Sequence, residues 1–506
     1  MDVEFLKSKF QDSYDGVITK TKFKIGVRHV QMLYMFLSTV VMGAMRGCIG
    51  IEVLAIVDST RRNDSYIHIH DWDRRVQGTI ISSFFFGYAL MLIPAEFYLK
   101  RLGDKFVITS VLLINGALSA AMPTIVNRGG WAAMCNAHFL MGMTQACISP
   151  INQVLLSKWL PPIERNTIGC LIDTGLYLGI IFAILVAGLL SETRLGWELI
   201  FYSQAIITLS MAVIWGLLTA SSPEEHQAVG DSEKEYIKET LACYRKKRLQ
   251  KPWRSILRSR QIWAILCSHA ASNILFVFYL VDVPLYLKFL GLTLKECAQH
   301  TMFAFIALWF MYTTTAPIVD WFFKTGFVTY LCSVTNARKL VNALGAFSIV
   351  IGLMILPNIT VEWPYLRISV LIGTLGILGF QYSGFLENLR DISQNYSGTL
   401  IVVSSSFASM LAAVTPLING LILRTEVEDP SRWRILLSSI AGVYAFCNII
   451  YTAFASSDRM DWDDIGKHKF GYHNSAIADN DTNELELHEI NHKETIVSNL
   501  EDDTAI

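Results

Sequence analysis

Charge is what this chain has least of. Only 17% of its 506 residues are Asp, Glu, Lys or Arg, against roughly 25% in a soluble domain. A soluble chain of this length needs far more polar residues to cover its surface, so an ordinary soluble enzyme is disfavoured. No sign of charge dominates either. The formal net charge is -1 and the isoelectric point is near 6.8, so no global basic field points to nucleic acid as a partner. The nine cysteines are an odd number and contain no CxxC pair. Most of them (Cys48, Cys135, Cys147, Cys170, Cys267 and Cys447) sit in apolar runs and read as small buried hydrophobes, not as a disulfide framework or a metal site. No GxxxxGK[ST] loop occurs, which argues against an ATP-driven pump. Neither a cofactor nor a bound metal is expected.

What the chain has instead is apolar length. Hydrophobic residues make up 52% and the mean hydropathy is +0.40. Twelve runs between residues 31 and 456 approach the roughly 20 apolar residues that cross a bilayer. The first follows a polar tail and lacks a small-residue cleavage site, so it reads as a span and not as a signal peptide. The expected organisation is an N-terminal tail (1–30), a six-helix bundle (31–219), a polar linker (220–261), a second six-helix bundle (262–456) and an acidic tail (457–506). The acidic tail has little apolar periodicity and is expected to be disordered, with a regulatory role or a cytoplasmic partner as the alternative. The linker holds Glu224, Glu225, Glu233, Glu235 and Glu239, then Arg245-Lys246-Lys247-Arg248. It reads as a solvated connection with short surface helices, or as a partner or anionic-lipid site.

Most of the 42 basic residues fall on one side of the twelve runs, the side of both termini and the linker. The positive-inside rule makes that side cytoplasmic. The sequons at Asn63 and Asn358 then lie in outer loops and are glycosylation candidates, whereas those at Asn395 and Asn480 lie inside. Six spans, a cytoplasmic linker and six more spans are the plan of a secondary transporter, in which two bundles rock around a cavity at the membrane midplane. The lipid bilayer is an expected partner.

Particular residues sharpen this reading. Trp72-Asp73, Gly78, Ser83-Phe84-Phe85-Phe86-Gly87-Tyr88 and Ile93-Pro94 are followed by Lys158-Trp159-Leu160-Pro161-Pro162 with Glu164-Arg165. Then come Gly175 and Gly179, Trp197 with Phe201-Tyr202, Ser222-Pro223-Glu224-Glu225-His226 and Pro252-Trp253. The second half adds Pro284, Tyr286, Asp320-Trp321, Arg338-Lys339 and Asn388 with Asp391-Ile392. Together these residues resemble the anion–cation symporter branch of the major facilitator superfamily, the group of sialin, the vesicular glutamate transporters and the sodium–phosphate cotransporter-like proteins. The resemblance covers about residues 30 to 456. It implies an all-α polytopic membrane protein, 12 transmembrane helices in two six-helix bundles, and carriage of small organic or inorganic anions driven by Na+ or H+. It implies no enzyme activity. Residence in the plasma membrane is expected over lysosome or vesicle, because the tail lacks a convincing acidic dileucine signal.

The candidate chemistry lies in polar groups inside spans, where they are expensive unless they face a cavity or a partner. Arg46 stands in the middle of the first span. The resemblance implies that it contacts anionic substrate or organises the cavity. In the fourth span the family usually carries an arginine seven residues before an acidic residue or glutamine; this chain has His138 and Gln145. Seven residues are two helical turns, which puts both on one face. His138 is either a proton-coupling group or a neutral histidine bonded to a neighbouring helix. Ile81 replaces a histidine of glutamate-transporting relatives, and Ser272-Asn273 stands where some relatives carry an arginine. Asp173 is a gain in the fifth span. It is expected to pair with Arg46 or to hold a cation or proton, beside the close-packing pair Gly175 and Gly179. Glu52 and Asp282 lie near the outer ends of their spans, and interfacial water is the simple expectation for both. Tyr88 and Tyr177 are the two aromatic site candidates. Gly103 and Lys105, in the loop Arg101-Leu102-Gly103-Asp104-Lys105, and Asp391 are gating candidates. A non-transporting sensor of the same fold is the competing reading, motivated by the missing basic positions. A membrane enzyme is the weakest, since no catalytic constellation is visible.

Overall fold

The computed structural model describes residues 26–61, 67–98, 103–243, 251–324, 333–360, 363–393, 395–423 and 429–463. Asn63, most of the acidic tail and the basic run 245–248 lie outside the described residues. Among the described residues the structure is helical, without a strand. The first half contains α1 (Val27–Ile56), α2 (Arg74–Tyr98), α3 (Asp104–Gln145), α4 (Ile148–Trp159), α5 (Pro162–Ser191) and α6 (Trp197–Leu218). Two short helices, α7 (Asp231–Cys243) and α8 (Trp253–Arg258), follow in the linker. The second half contains α9 (Arg260–Phe289), α10 (Leu294–Lys324), α11 (Val334–Ile355), α12 (Pro364–Ile392), α13 (Ser397–Leu423) and α14 (Pro430–Phe454).

Among the described residues eleven stretches are long and apolar enough to cross a membrane, and one of these, Asp104–Trp159, runs 56 residues. At about 1.5 Å per residue a straight helix of that length far exceeds the roughly 30 Å hydrocarbon core. It is not straight. Gly130 has φ 64° and ψ -161°, a backbone that a Cβ disfavours. Beyond it the chain returns on itself, since Asn115 Nδ2 donates to Thr144 Oγ1 at 2.8 Å. The 29 residues between them would span about 44 Å in one straight helix. The limb after Gly130 and α4 together make a fourth crossing, which brings the total to twelve.

Glycines set how closely the helices approach. A Cβ on Gly43 would lie 2.2 Å from the Leu176 carbonyl, and one on Gly179 would lie 2.0 Å from the Val40 carbonyl. The expected close contact of α5 is therefore made reciprocally with α1. The same device joins the two halves. Gly50 of α1 abuts the Leu280 carbonyl of α9, Gly78 of α2 abuts the Pro416 carbonyl of α13, and Gly420 of α13 abuts the Arg74 carbonyl. Pro284 within α9 has no N–H to give the Leu280 carbonyl, which leaves that oxygen free to face Gly50.

These contacts lie at the end of the molecule opposite the linker, and that end is closed. At the rim, Lys288 Nζ of the second half reaches Asp58 Oδ1 of the first at 2.6 Å. Thr60 donates to the same oxygen through its amide and its hydroxyl, at 3.1 and 2.8 Å. Burial works to raise the Asp58 carboxyl, but the bonds and charge of Lys288, with the Thr60 bonds, hold it below its ordinary value. Deeper in the seam, Asn419 Nδ2 donates to Asp282 Oδ2 at 2.6 Å, and Arg74 of the first half exerts its charge on that carboxyl. Arg74 also donates to Gln77 Oε1 at 2.5 Å. Asp282 is only 5% exposed, so the expectation of interfacial water is corrected. The cavity left beside these groups is about 30 Å³, little more than room for a water.

At the linker end, ion pairs tie crossings together inside each half: Lys158 to Asp104 at 2.5 Å and Arg338 to Asp391 at 2.9 Å. The linker is held there as well. Glu233 of α7 accepts from the Val27 and Arg28 amides at 3.1 and 3.2 Å, satisfying open N–H groups at the start of α1. Arg28 reaches Glu233 at 3.5 Å and Glu164 at 3.3 Å, and Lys251 reaches Glu96 at 3.9 Å. The linker thus has its short surface helices, but α7 is docked and not simply solvated.

The Asp58–Lys288 pair should carry measurable stability. Asp58→Asn is expected to lower stability by about 2 kcal/mol, read as a fall in melting temperature of the purified protein. Because the folded carboxyl titrates below its ordinary value, this stabilisation is complete above about pH 4 to 5 and disappears as pH falls through the folded value. The melting-temperature gap between parent and Asp58→Asn should therefore persist at pH 5 and close at lower pH. A gap already closed at pH 5 contradicts the assignment.

Candidate functional site

Arg46 sits half-buried in the middle of α1. Its guanidinium lies 4.5 Å from the centroid of the Tyr88 ring and 5.9 Å from that of Phe84, both on α2. Aromatic faces attract a cation but leave its hydrogen-bonding edge unused. Arg46 Nε is buried without a hydrogen-bond partner among the described residues, and no carboxylate there lies within salt-bridge distance of it. A donor buried and unsatisfied at membrane depth costs free energy until a ligand accepts from it.

A band of tyrosines continues from this cation across the seam. The charge of Arg46 reaches the Tyr177 hydroxyl, which has the hydroxyl of Tyr382 as a neighbour. The Tyr177 ring of α5 lies 5.4 Å from Tyr312 of α10, and Tyr312 lies 5.8 Å from Tyr382 of α12. Phe276 of α9 closes the band 6.3 Å from Tyr177. Tyr312 and Tyr382 have no counterpart among the sequence-level candidates. They stand in apolar runs, where an aromatic reads as facing lipid, and only the fold shows them meeting Tyr177.

Further polar groups lie on α9 and α13. His269 Nδ1 is 2.7 Å from Ser404 Oγ, and Asn273 Nδ2 donates to Ser409 Oγ at 3.3 Å. Ser406 Oγ crosses to the first half and donates to the Ala89 carbonyl at 3.1 Å. Asn273 is thereby tied to α13 inside the second half.

Three candidates are turned elsewhere. His138 is 2% exposed and packs between helices against the Ile80 carbonyl of α2, with Nδ1 unpartnered among the described residues. Gln145 Nε2 donates to Asn115 Oδ1 at 3.1 Å, on the outgoing limb of α3. Their two-turn spacing does not give them one common environment, because each meets a different neighbour. Ser272 Oγ donates to the Ser268 carbonyl at 2.9 Å and is fully buried. It belongs to a polar knot inside the second half. There Asn448 Oδ1 accepts from Ser268, Asn342 and Gln381 at 2.9, 3.1 and 2.9 Å, and the Tyr444 hydroxyl donates to Gln381. Neighbouring helices α9, α11, α12 and α14 are pinned by this knot. Its members are scattered over 180 residues, so spacing alone could not assemble them.

The acidic candidates also part from expectation. Asp173 is exposed on α5 and makes no salt bridge with Arg46. The cation acting on it is Arg390 of α12, across the seam toward the linker end. Arg390 Nη1 also grips both Glu387 oxygens at 2.8 and 2.9 Å. Glu52 is 2% exposed and accepts from Gln204 Nε2 at 2.5 Å, so it does not reach interfacial water; it braces α1 against α6.

Of the gating candidates, Gly103 has φ 86° where α3 begins. Lys105 contributes its backbone amide, which donates to Ser221 Oγ at 3.2 Å. The ion pair of that loop is made by Asp104. Asp391 pairs with Arg338 and not with its neighbour Arg390. Asn358 is exposed, its amide donating to the Met354 carbonyl at 2.9 Å. Among the described residues no group of three or more His, Cys, Asp or Glu side chains could hold a metal ion.

Comparison with known proteins places this arrangement. The Major Facilitator Superfamily profile matches residues 35–416. A "Putative inorganic phosphate cotransporter" of Drosophila ananassae is 28% identical over 401 residues, covering 78% of this chain and 81% of that protein. Human "Vesicular glutamate transporter 2" is 25% identical over 464 residues, covering 87% and 77%. Mouse "Sodium-dependent phosphate transport protein 1" is 26% identical over 436 residues, covering 83% and 91%. Among solved structures, a bacterial homologue of the human lysosomal transporter Spinster superposes with a TM-score of 0.63 at 14% identity, covering 85% of this chain and 97% of that one. A D-xylose–proton symporter superposes with a TM-score of 0.61 at 14% identity, covering 85% and 99%. With twelve crossings, a central seam and these relatives, the chain is a multi-pass membrane transporter, not an enzyme, and belongs to the Major Facilitator Superfamily, with its relatives in the anion–cation symporter branch.

Proposed function

We propose that the protein carries small organic or inorganic anions, of phosphate or carboxylate type, by alternating access coupled to Na+ or H+. The observation that carries this reading is Arg46, a cation at the seam whose buried Nε has no acceptor among the described residues. An anion accepting from it supplies the missing bond and the missing charge together. Tyr88 and Tyr177 line the place where it would sit, and Asn273 approaches from the second half. The names of the relatives, phosphate and glutamate transporters, support the same class of substrate. The sealed end opposite the linker corresponds, in this reading, to a carrier whose site opens toward the linker side. We place that side in the cytoplasm and the carrier in the plasma membrane, with Asn358 and Asn63 as outward glycosylation sites. A sensor of the same fold remains the second reading, favoured by the turning of His138, Gln145 and Ser272 into helix contacts.

Asp173 is the coupling group in this proposal. It is exposed at the seam and faces Arg390 of the opposite half, so its partner changes whenever the halves move apart. A carboxylate suits either a proton or a hard cation such as Na+. His138, sealed between helices, is assigned a structural role.

Arg46→Ala is expected to reduce uptake of labelled phosphate or carboxylate anions into proteoliposomes at least a hundredfold, with the yield of folded protein unchanged. Arg46→Lys should recover part of the rate, since an ammonium lacks the planar fork of donors. Uptake by Arg46→Ala at the parent rate contradicts the assignment, and anion binding by the parent without counterflow favours the sensor.

Coupling separates the two titratable candidates. In Asp173→Asn, accumulation driven by a Na+ or pH gradient should vanish while anion exchange persists. In His138→Gln, gradient-driven accumulation should continue. The opposite pattern transfers the coupling role to His138.

A further inference from the structure

The linker-side mouth of the second half holds a groove lined by none of the residues proposed above for transport. It measures about 540 Å³ and lies where α9 begins and α14 ends. Leu257, Trp263, Ile450 and Phe454 wall it, and Arg258 and Arg260 stand on its rim. Leu257, Trp263 and Phe454 are all exposed. Among the described residues no acidic one lines the groove.

The segment leading into it is one-sided in charge. Residues 251–260 read Lys-Pro-Trp-Arg-Ser-Ile-Leu-Arg-Ser-Arg, with four cations and no acid. Lys251 is committed to Glu96. Arg258 and Arg260 are exposed, and no carboxylate lies within 4 Å of either among the described residues. The segment is nevertheless fixed. Ile256 is fully buried, and Trp263 Nε1 donates to the Leu257 carbonyl at 2.8 Å. The Trp263 ring also meets Phe407 edge-on at 5.7 Å. A tryptophan held at the polar end of two crossing helices marks the headgroup level of a bilayer.

We propose that this groove binds one anionic phospholipid from the leaflet on the linker side, with its phosphate between Arg258 and Arg260 and an acyl chain along Leu257, Ile450 and Phe454. Guanidinium donors match phosphate oxygens in geometry and charge. Free phosphate satisfies only the rim and leaves the apolar wall unused. An amphiphile satisfies both. The site lies outside the seam, so this inference does not depend on the transport proposal, and its readout is binding.

The test is native mass spectrometry of the full chain released from vesicles of mixed phosphatidylserine and phosphatidylcholine. The parent should retain phosphatidylserine over phosphatidylcholine. Arg258→Gln/Arg260→Gln should lose that preference by about fivefold for each arginine, hence roughly twenty-five-fold for both. Its melting temperature without lipid should match the parent, because both side chains are exposed. Leu257→Ser should weaken retention of both lipids while leaving the preference intact. Millimolar inorganic phosphate should not displace the lipid. Equal preference in the parent and the double arginine variant overturns the proposal. So does full retention by Leu257→Ser, which places the lipid outside the groove, or displacement by phosphate, which makes the site one for a free anion.

Discussion

The interaction on which the rest of this structure depends is the penalty for an unsatisfied polar group in a medium without water. Across the twelve crossings that penalty is met in different ways. Asp282 has Asn419 and the field of Arg74, and Glu52 has Gln204. Asn342, Gln381 and Asn448 have one another. Arg46 is answered only by aromatic faces, and its buried Nε has no acceptor among the described residues. An ion so placed is stable enough to exist and incomplete enough to bind.

Mobility follows from how the halves meet. Within the first half, α1 and α5 approach so closely through glycines that a Cβ would overlap a carbonyl oxygen, which makes that pair a rigid unit. Between the halves the same close approach is concentrated at one end, where Gly50, Gly78 and Gly420 meet carbonyls and Lys288 meets Asp58. Backbone contacts of this kind depend on shape and bury few side chains, so they can part as a surface without unravelling either half. The linker does not tether the halves loosely. Glu233 caps α1, and Lys251 meets Glu96, so both ends of the described linker hold the first half.

Much of this was legible in the sequence, and the failures have identifiable causes. The twelve crossings follow from apolar length, and the backbone of Gly130 turns the chain between the third and the fourth. The close packing at Gly175 and Gly179 follows from spacing. Arg46 follows from the rarity of charge in a span. Direction around the helix axis was harder to read. His138 and Gln145 share a face by their spacing, yet a hairpin puts a different neighbour against each. Asp173 was read against Arg46, the cation known from sequence to lie at its depth, whereas the fold brings Arg390 to it. Tyr312, Tyr382 and the Asn342–Gln381–Asn448 knot depend on contacts between distant crossings, which no local pattern encodes.

The central claim is that Arg46 waits for an anion, and the most direct measurement is anion-dependent thermal stabilisation of the purified protein. Phosphate, urate, sialate and glutamate would be titrated against the parent and Arg46→Ala. A ligand present at about a hundred times its dissociation constant adds roughly 2.7 kcal/mol to the folded state. The account predicts that at least one of these anions raises the parent's melting temperature by several degrees and leaves Arg46→Ala unmoved. Equal stabilisation of both proteins by the same anion contradicts it.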